Sequence, residues 1–93
     1  IAATNNGLNG LEVKDVAEGN KLTISDSSFT GNTDDGIDIN GSNNKLNVSD
    51  VQLSNNKDDG FDIGGNANKI VLEDAILSGN TENGLEVEGD NNS

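Results

Sequence analysis

Cysteine, histidine, arginine and tyrosine are all absent from this 93-residue chain, and each absence removes a class of chemistry. Without cysteine there is no disulfide framework, no thiolate nucleophile and no cysteine zinc site, and the redox compartment is left unspecified. Without histidine, arginine or tyrosine, only carboxylates and lysine remain for moving protons. Core material is scarce too: hydrophobic residues make up 30% of the chain and the aromatics are Phe29 and Phe61 alone. With a net charge of −12, that composition edges toward the disordered class, so regular patterning has to supply the fold.

Positive charge is nearly missing, with Lys14, Lys21, Lys45, Lys57 and Lys69 set against 17 acidic residues. Such a surface repels phosphate backbones and anionic headgroups, so neither nucleic acid nor membrane is an expected partner. Cations and positively charged surfaces are. No apolar run approaches the roughly 18 residues of a membrane span, and no charged-then-apolar leader opens the chain. Lacking an initiator Met, the chain is expected to be processed or excised from something longer.

What is present is a repeat. "NGLEV" from Asn9, "DGIDI" from Asp35, "DGFDI" from Asp59 and "NGLEV" from Asn83 match, and their glycines, Gly10, Gly36, Gly60 and Gly84, step by 26, 24 and 24 residues. Between them "KLTISDSSFTGN", "KLNVSDVQLSNN" and "KIVLEDAILSGN" start at Lys21, Lys45 and Lys69, again 24 apart. The two extra residues of the first step fall between Val13 and Lys21, in one turn, which leaves the strands in phase. Apolar and polar residues alternate with period two, as in Ile37, Asp38, Ile39, and nothing has helical period.

Stacking the units places like on like: Leu11, Ile37, Phe61, Leu85 in one column and Val13, Ile39, Ile63, Val87 in the next. Asn-Gly pairs at Asn6, Asn9, Asn40 and Asn83 favour hairpins, but a meander does not require residues 24 apart to match in type. An all-β right-handed parallel β-helix does, with about 24 residues and three short strands per turn and just under four turns. The whole of 1–93 reads as one segment, with 1–8 an irregular lead-in and turns starting near 9, 35, 59 and 83. Phe29 and Phe61 head core columns; Asn32, Asn56 and Asn80 form an amide ladder; Asp26, Asp50 and Asp74 cap the bend between strands two and three. The glycines at 10, 36, 60 and 84 are expected to hold positive φ.

Through "GNTDDGIDINGSNNKLNVSDVQLSNNKDDGFDI" the chain resembles the pectate-lyase-like superfamily of right-handed parallel β-helices, a likeness that extends over nearly the whole chain from about Asn9. The resemblance implies the fold and a secreted or cell-surface location. It implies less about activity, because the same repeat serves lyases, epimerases, hydrolases and inert shafts.

The outward column Glu12, Asp38, Asp62, Glu86 stacks carboxylates, joined by Asp34, Asp35, Asp58 and Asp59 in the preceding turns. Carboxylates about 5 Å apart repel by roughly 1 kcal/mol in water and roughly 3 kcal/mol at an effective dielectric near 20. Two readings follow. One is a solvated acidic face that keeps β surface soluble. The other is calcium held by Asp34, Asp35, Asp38, Asp58, Asp59, Asp62 and Glu86, since calcium takes 6–8 oxygen ligands and calcium-dependent lyases of the resembling family carry metal on this sheet. Neither an EF-hand loop nor the glycine-rich nonapeptide calcium repeat is present.

Catalysis is not expected. Catalytic carboxylate pairs need unlike environments, whereas these are translated copies, and Lys57 beside Asp58 is the one suggestive base. The expected role is a non-catalytic structural or binding module. A fragment of a calcium-dependent polysaccharide lyase, epimerase or hydrolase, and a designed or consensus β-helix, are the alternatives. Expected partners are a polysaccharide and, through uncapped solenoid ends, further copies stacked end to end or the remainder of a longer helix.

Overall fold

A computed structural model describes residues 1–93 and contains strands and turns only. The strands are β1 (Ala2–Thr4), β2 (Leu11–Val13), β3 (Lys21–Thr30), β4 (Ile37–Ile39), β5 (Lys45–Ser54), β6 (Phe61–Ile63), β7 (Lys69–Ile76) and β8 (Leu85–Val87). They form two parallel sheets ordered β1-β3-β5-β7 and β2-β4-β6-β8. Every register is the one the repeat dictates: Leu22 opposite Leu46 opposite Ile70, and Ile37 opposite Phe61 opposite Leu85. The chain is therefore a coil whose turns lie about 4.8 Å apart, the spacing of hydrogen-bonded strands.

Two strands rather than three occupy each turn. The expected second and third strands are continuous in β3, β5 and β7, and the direction changes within them at Asp26, Asp50 and Asp74. These aspartates carry φ of 48°, 52° and 49° and sit exposed, so they make the corner by left-handed backbone and not by capping N–H groups. Aspartate tolerates that region better than most residues. The lead-in also holds more order than expected: β1 pairs Ala2 with Ser28 and Thr4 with Thr30.

The core is a narrow stack of Ile24, Phe29, Ile37, Ile39, Leu46, Val48, Val51, Leu53, Phe61 and Ile63, with both phenylalanines buried as expected. So thin a core cannot fill the corners of the coil. Buried asparagines do. In the ladder Asn6, Asn32, Asn56, Asn80, the backbone N–H and Nδ2 of each of the first three donate to the Oδ1 one turn on, at 3.0–3.1 Å. Each Nδ2 from Asn32 onward also donates to a carbonyl of the turn before, those of Ala3, Phe29 and Leu53. A second ladder was not anticipated: Asn20, Asn44, Asn68 and Asn92 link N–H to Oδ1 at 2.8–2.9 Å. It closes the opposite corner.

None of Gly10, Gly36, Gly60 and Gly84 has the expected positive φ, which occurs instead at Asn5, Gly31, Asn55 and Gly79 ahead of the first ladder; Gly36 and Gly60 are glycine for a steric reason. A Cβ on Gly36 would stand 2.5 Å from the Gly60 carbonyl oxygen and 2.9 Å from Asn56 Nδ2. Coil turns and ladder meet there with no room for a methyl.

Two substitutions test this account by denaturation followed by circular dichroism. Asn56→Ala strands the buried N–H and Nδ2 of Asn32, and we expect a loss of about 3 kcal/mol. For a domain of this size that lowers Tm by more than about 10 °C. Gly36→Ala should cost at least about 2 kcal/mol, whereas Gly7→Ala, with nothing within 4 Å, should stay within about 0.5 kcal/mol.

Candidate cation-binding site

The turn before β4 carries Asp34 and Asp35, and β4 carries Asp38; one turn on, Asp58 and Asp59 precede β6, which carries Asp62. Because β4 points Ile37 and Ile39 into the core, Asp38 points away from it, yet Asp38 is only 7% exposed. Asn9 and Asn40 bond to it, and Asp35 and Asp62 group with it. Asp35 lies against the strand at 6% exposure and Asp59 at 3%.

That position is a third ladder, running opposite to the other two. The Asp35 N–H donates to Asn9 Oδ1 at 2.9 Å, the Asp59 N–H to Asp35 Oδ1 at 2.9 Å, and the Asn83 N–H to Asp59 Oδ1 at 2.6 Å. In each case one side-chain oxygen satisfies a backbone amide of the next turn. The other side-chain atom faces the carboxylate column. In the outer turns it is an amide, so that Asn9 Nδ2 donates to Asp38 Oδ2 at 3.0 Å and Asn83 Nδ2 to Glu86 Oε1 at 3.1 Å. In the two inner turns it is a second carboxylate oxygen.

All seven expected ligands are thereby brought into three clusters: Asp34 with Asp35 and Asp58; Asp35 with Asp38 and Asp62; Asp59 with Asp62 and Glu86. Within each, one oxygen per residue lies within 4.8 Å of the others. Two oxygens on one calcium at 2.3–2.6 Å are at most about 5.2 Å apart, so these separations suit that ion. Glu12 stands outside, paired with Lys14 Nζ at 2.7 Å in the one ion pair of the structure. Lys57 is exposed and forms no ion pair.

Polar partners are unevenly shared. Asp38 Oδ2 accepts from Asn9 and from Asn40 Nδ2, but Asp38 Oδ1 and Asp62 Oδ1 are buried with no hydrogen-bond partner. Both belong to the cluster with Asp35. A buried, unpartnered carboxylate oxygen is costly unless a proton or cation meets it. The donor set is all hard oxygen, which selects calcium or magnesium over softer metals.

Burial is the main reason these carboxyls hold protons more tightly than usual. It pushes Asp35 up to about 7, with the Asp59 amide opposing and the charges of Asp34, Asp38 and Asp62 adding. It pushes Asp62 up to about 6, helped by Asp38, Asp59 and Glu88. Asp38 is raised by burial and by Glu12 against the hydrogen bonds of Asn40 and Asn9, while Asp58 and Glu86 are raised by burial and neighbouring carboxylates.

The roles of Asn9, Asn40 and Asn83 were missed in the sequence. Asn40 carries no signal, since its counterpart one turn on is Gly64. Asn9 and Asn83 do, because they share a column with Asp35 and Asp59.

A family model described as "Right handed beta helix region" matches residues 2–93, which supplies the hand of the coil. No curated protein and no solved structure matches the chain.

The raised carboxyls give the metal-free protein an unusual pH profile. A folded-state pKa above the unfolded value means the folded state binds the extra proton, so stability falls as pH rises from about 4 through 6 and 7 and is level above. In chelator, Tm measured at pH 5 should exceed that at pH 8 by several degrees; a Tm that rises with pH over this range would contradict the assignment.

Proposed function

Because the chain belongs to the right-handed β-helix family, we propose that it is a non-catalytic structural or binding module of a secreted or cell-surface protein, stabilised by calcium at its acidic column. The observation that carries the reading is the pair of buried oxygens without a partner, Asp38 Oδ1 and Asp62 Oδ1, on two residues that group with Asp35. The absence of any ion pair within the cluster supports it, because the protein supplies no cation of its own there. A location outside the cell fits both the resemblance to secreted β-helix proteins and the millimolar calcium that weak extracellular sites use.

A second reading, part of a polysaccharide lyase, epimerase or hydrolase, has one observation in its favour: Asp35 titrates near neutrality, where a general acid or base is most effective. Against it stand the missing arginine, histidine and tyrosine. The apolar ends of the coil, where Leu85 is 48% and Val87 51% exposed beside the open edge of β8, support contact with a second copy or with further turns of helix.

Melting in 5 mM calcium against excess chelator tests the first reading. A ligand that binds only the folded state at about 100 times its Kd adds about 2.7 kcal/mol, so Tm should rise by about 10 °C or more. An unchanged Tm rejects the calcium reading, and calcium-dependent cleavage of polygalacturonate or alginate would favour the enzyme reading instead. Sedimentation equilibrium should show association that tightens with concentration; a strict monomer at all concentrations would refute contact between copies.

A further inference from the structure

We propose that the acidic column takes two divalent cations, one held by Asp35, Asp38 and Asp62 and the other by Asp59, Asp62 and Glu86, with the Asp62 carboxylate shared between them. The proposal rests on the cation reading above and goes further, to the number of ions and to the residues that create the sites.

The chain contains its own control. The ladder position before the glycine is Asn9, Asp35, Asp59, Asn83 in successive turns, and all four do the same backbone work or stand ready to: Asn9, Asp35 and Asp59 each accept the N–H of the next residue in the column. An amide therefore fits this position. Where it is asparagine, its Nδ2 donates to a carboxylate of the outward column, Asp38 at one end and Glu86 at the other. Where it is aspartate, that donor is gone and an acceptor replaces it.

As ladder residues, Asp35 and Asp59 are thus the inferior choice. Each adds a negative charge beside carboxylates that an asparagine would have bonded, and the two oxygens left without a partner belong to Asp38 and Asp62, the residues that group with Asp35. Asp38 is itself 7% exposed, so solvent does not relieve it. Residues that worsen folding while grouping ligands mark a site that is complete only with its ligand.

Two ions rather than one follow from the translation. Asp35 and Asp59 occupy equivalent places one turn apart, and their clusters with the outward column have Asp62 in common, whereas the third cluster, Asp34 with Asp35 and Asp58, includes no residue of that column. The five carboxylates carry five negative charges against four positive charges on two divalent ions, a near balance that one ion does not reach. The sites are unequal: the first has Asp35 and Asp38 buried, whereas the second ends at the partly exposed Glu86.

Calorimetric titration of the metal-free chain with calcium chloride at pH 7.5 reads the stoichiometry, and asparagine variants read the assignment. Two ions per chain are expected. Asp35→Asn should leave one, Asp59→Asn should leave one, and Asp62→Asn should weaken both at least tenfold. In chelator, Asp35→Asn and Asp59→Asn should melt higher than the parent, since each restores the amide found at Asn9 and Asn83; this also verifies that the variants fold. One ion per chain, or Asp62→Asn keeping a site at parental affinity, overturns the shared pair while the cation reading stands. No calcium uptake by the parent chain overturns both.

Discussion

Backbone amides at the corners of a coiled chain are only partly satisfied by carbonyls of a neighbouring turn, as at Gly31, Asn43 and Asn55, and the remainder need another acceptor. In this protein side-chain amides and carboxylates, repeated once per turn, accept those N–H groups from the neighbouring turn. The rest of the structure depends on that device. It places the strands in register and fills corners that a chain with 30% hydrophobic residues has no apolar volume to fill. It also lets a thin stack of ten buried apolar side chains suffice as a core.

The same device explains where the chemistry lies. A ladder uses one oxygen of each side chain and leaves the second atom free to differ. In the first two ladders that atom is an amide nitrogen bonded to a carbonyl of the preceding turn. In the third it faces an outward column of carboxylates, and the choice between nitrogen and oxygen decides whether the column is hydrogen-bonded or charged. The two kinds of turn thus differ by one atom at a position the fold already holds still.

Charge is the counterpart of this economy. The single ion pair, Lys14 with Glu12, sits at one end, and the inner carboxylates have only amides and one another for company. Their raised proton affinity has one cause, the removal of like charges from water.

Much of this was legible before any coordinates. The 24-residue spacing determined strand pairing, register, the inward columns and the Asn32, Asn56, Asn80 ladder, because a parallel coil superposes residues one period apart and no other information is needed. It also put the seven carboxylates in neighbouring turns, where they group into three clusters. The Asn20, Asn44, Asn68, Asn92 ladder was equally periodic and equally readable. Three things belonged to the tertiary structure. Glycines at 36 and 60 answer to a carbonyl one turn away and not to their own φ; the corner is made by left-handed aspartates inside continuous strands; and Asp38, outward by alternation, is nonetheless buried. Periodicity tells which residues share a column, but the distance between a side chain and its neighbours, and so its burial, hydrogen bonds and charge, exists only once the turns have closed on one another.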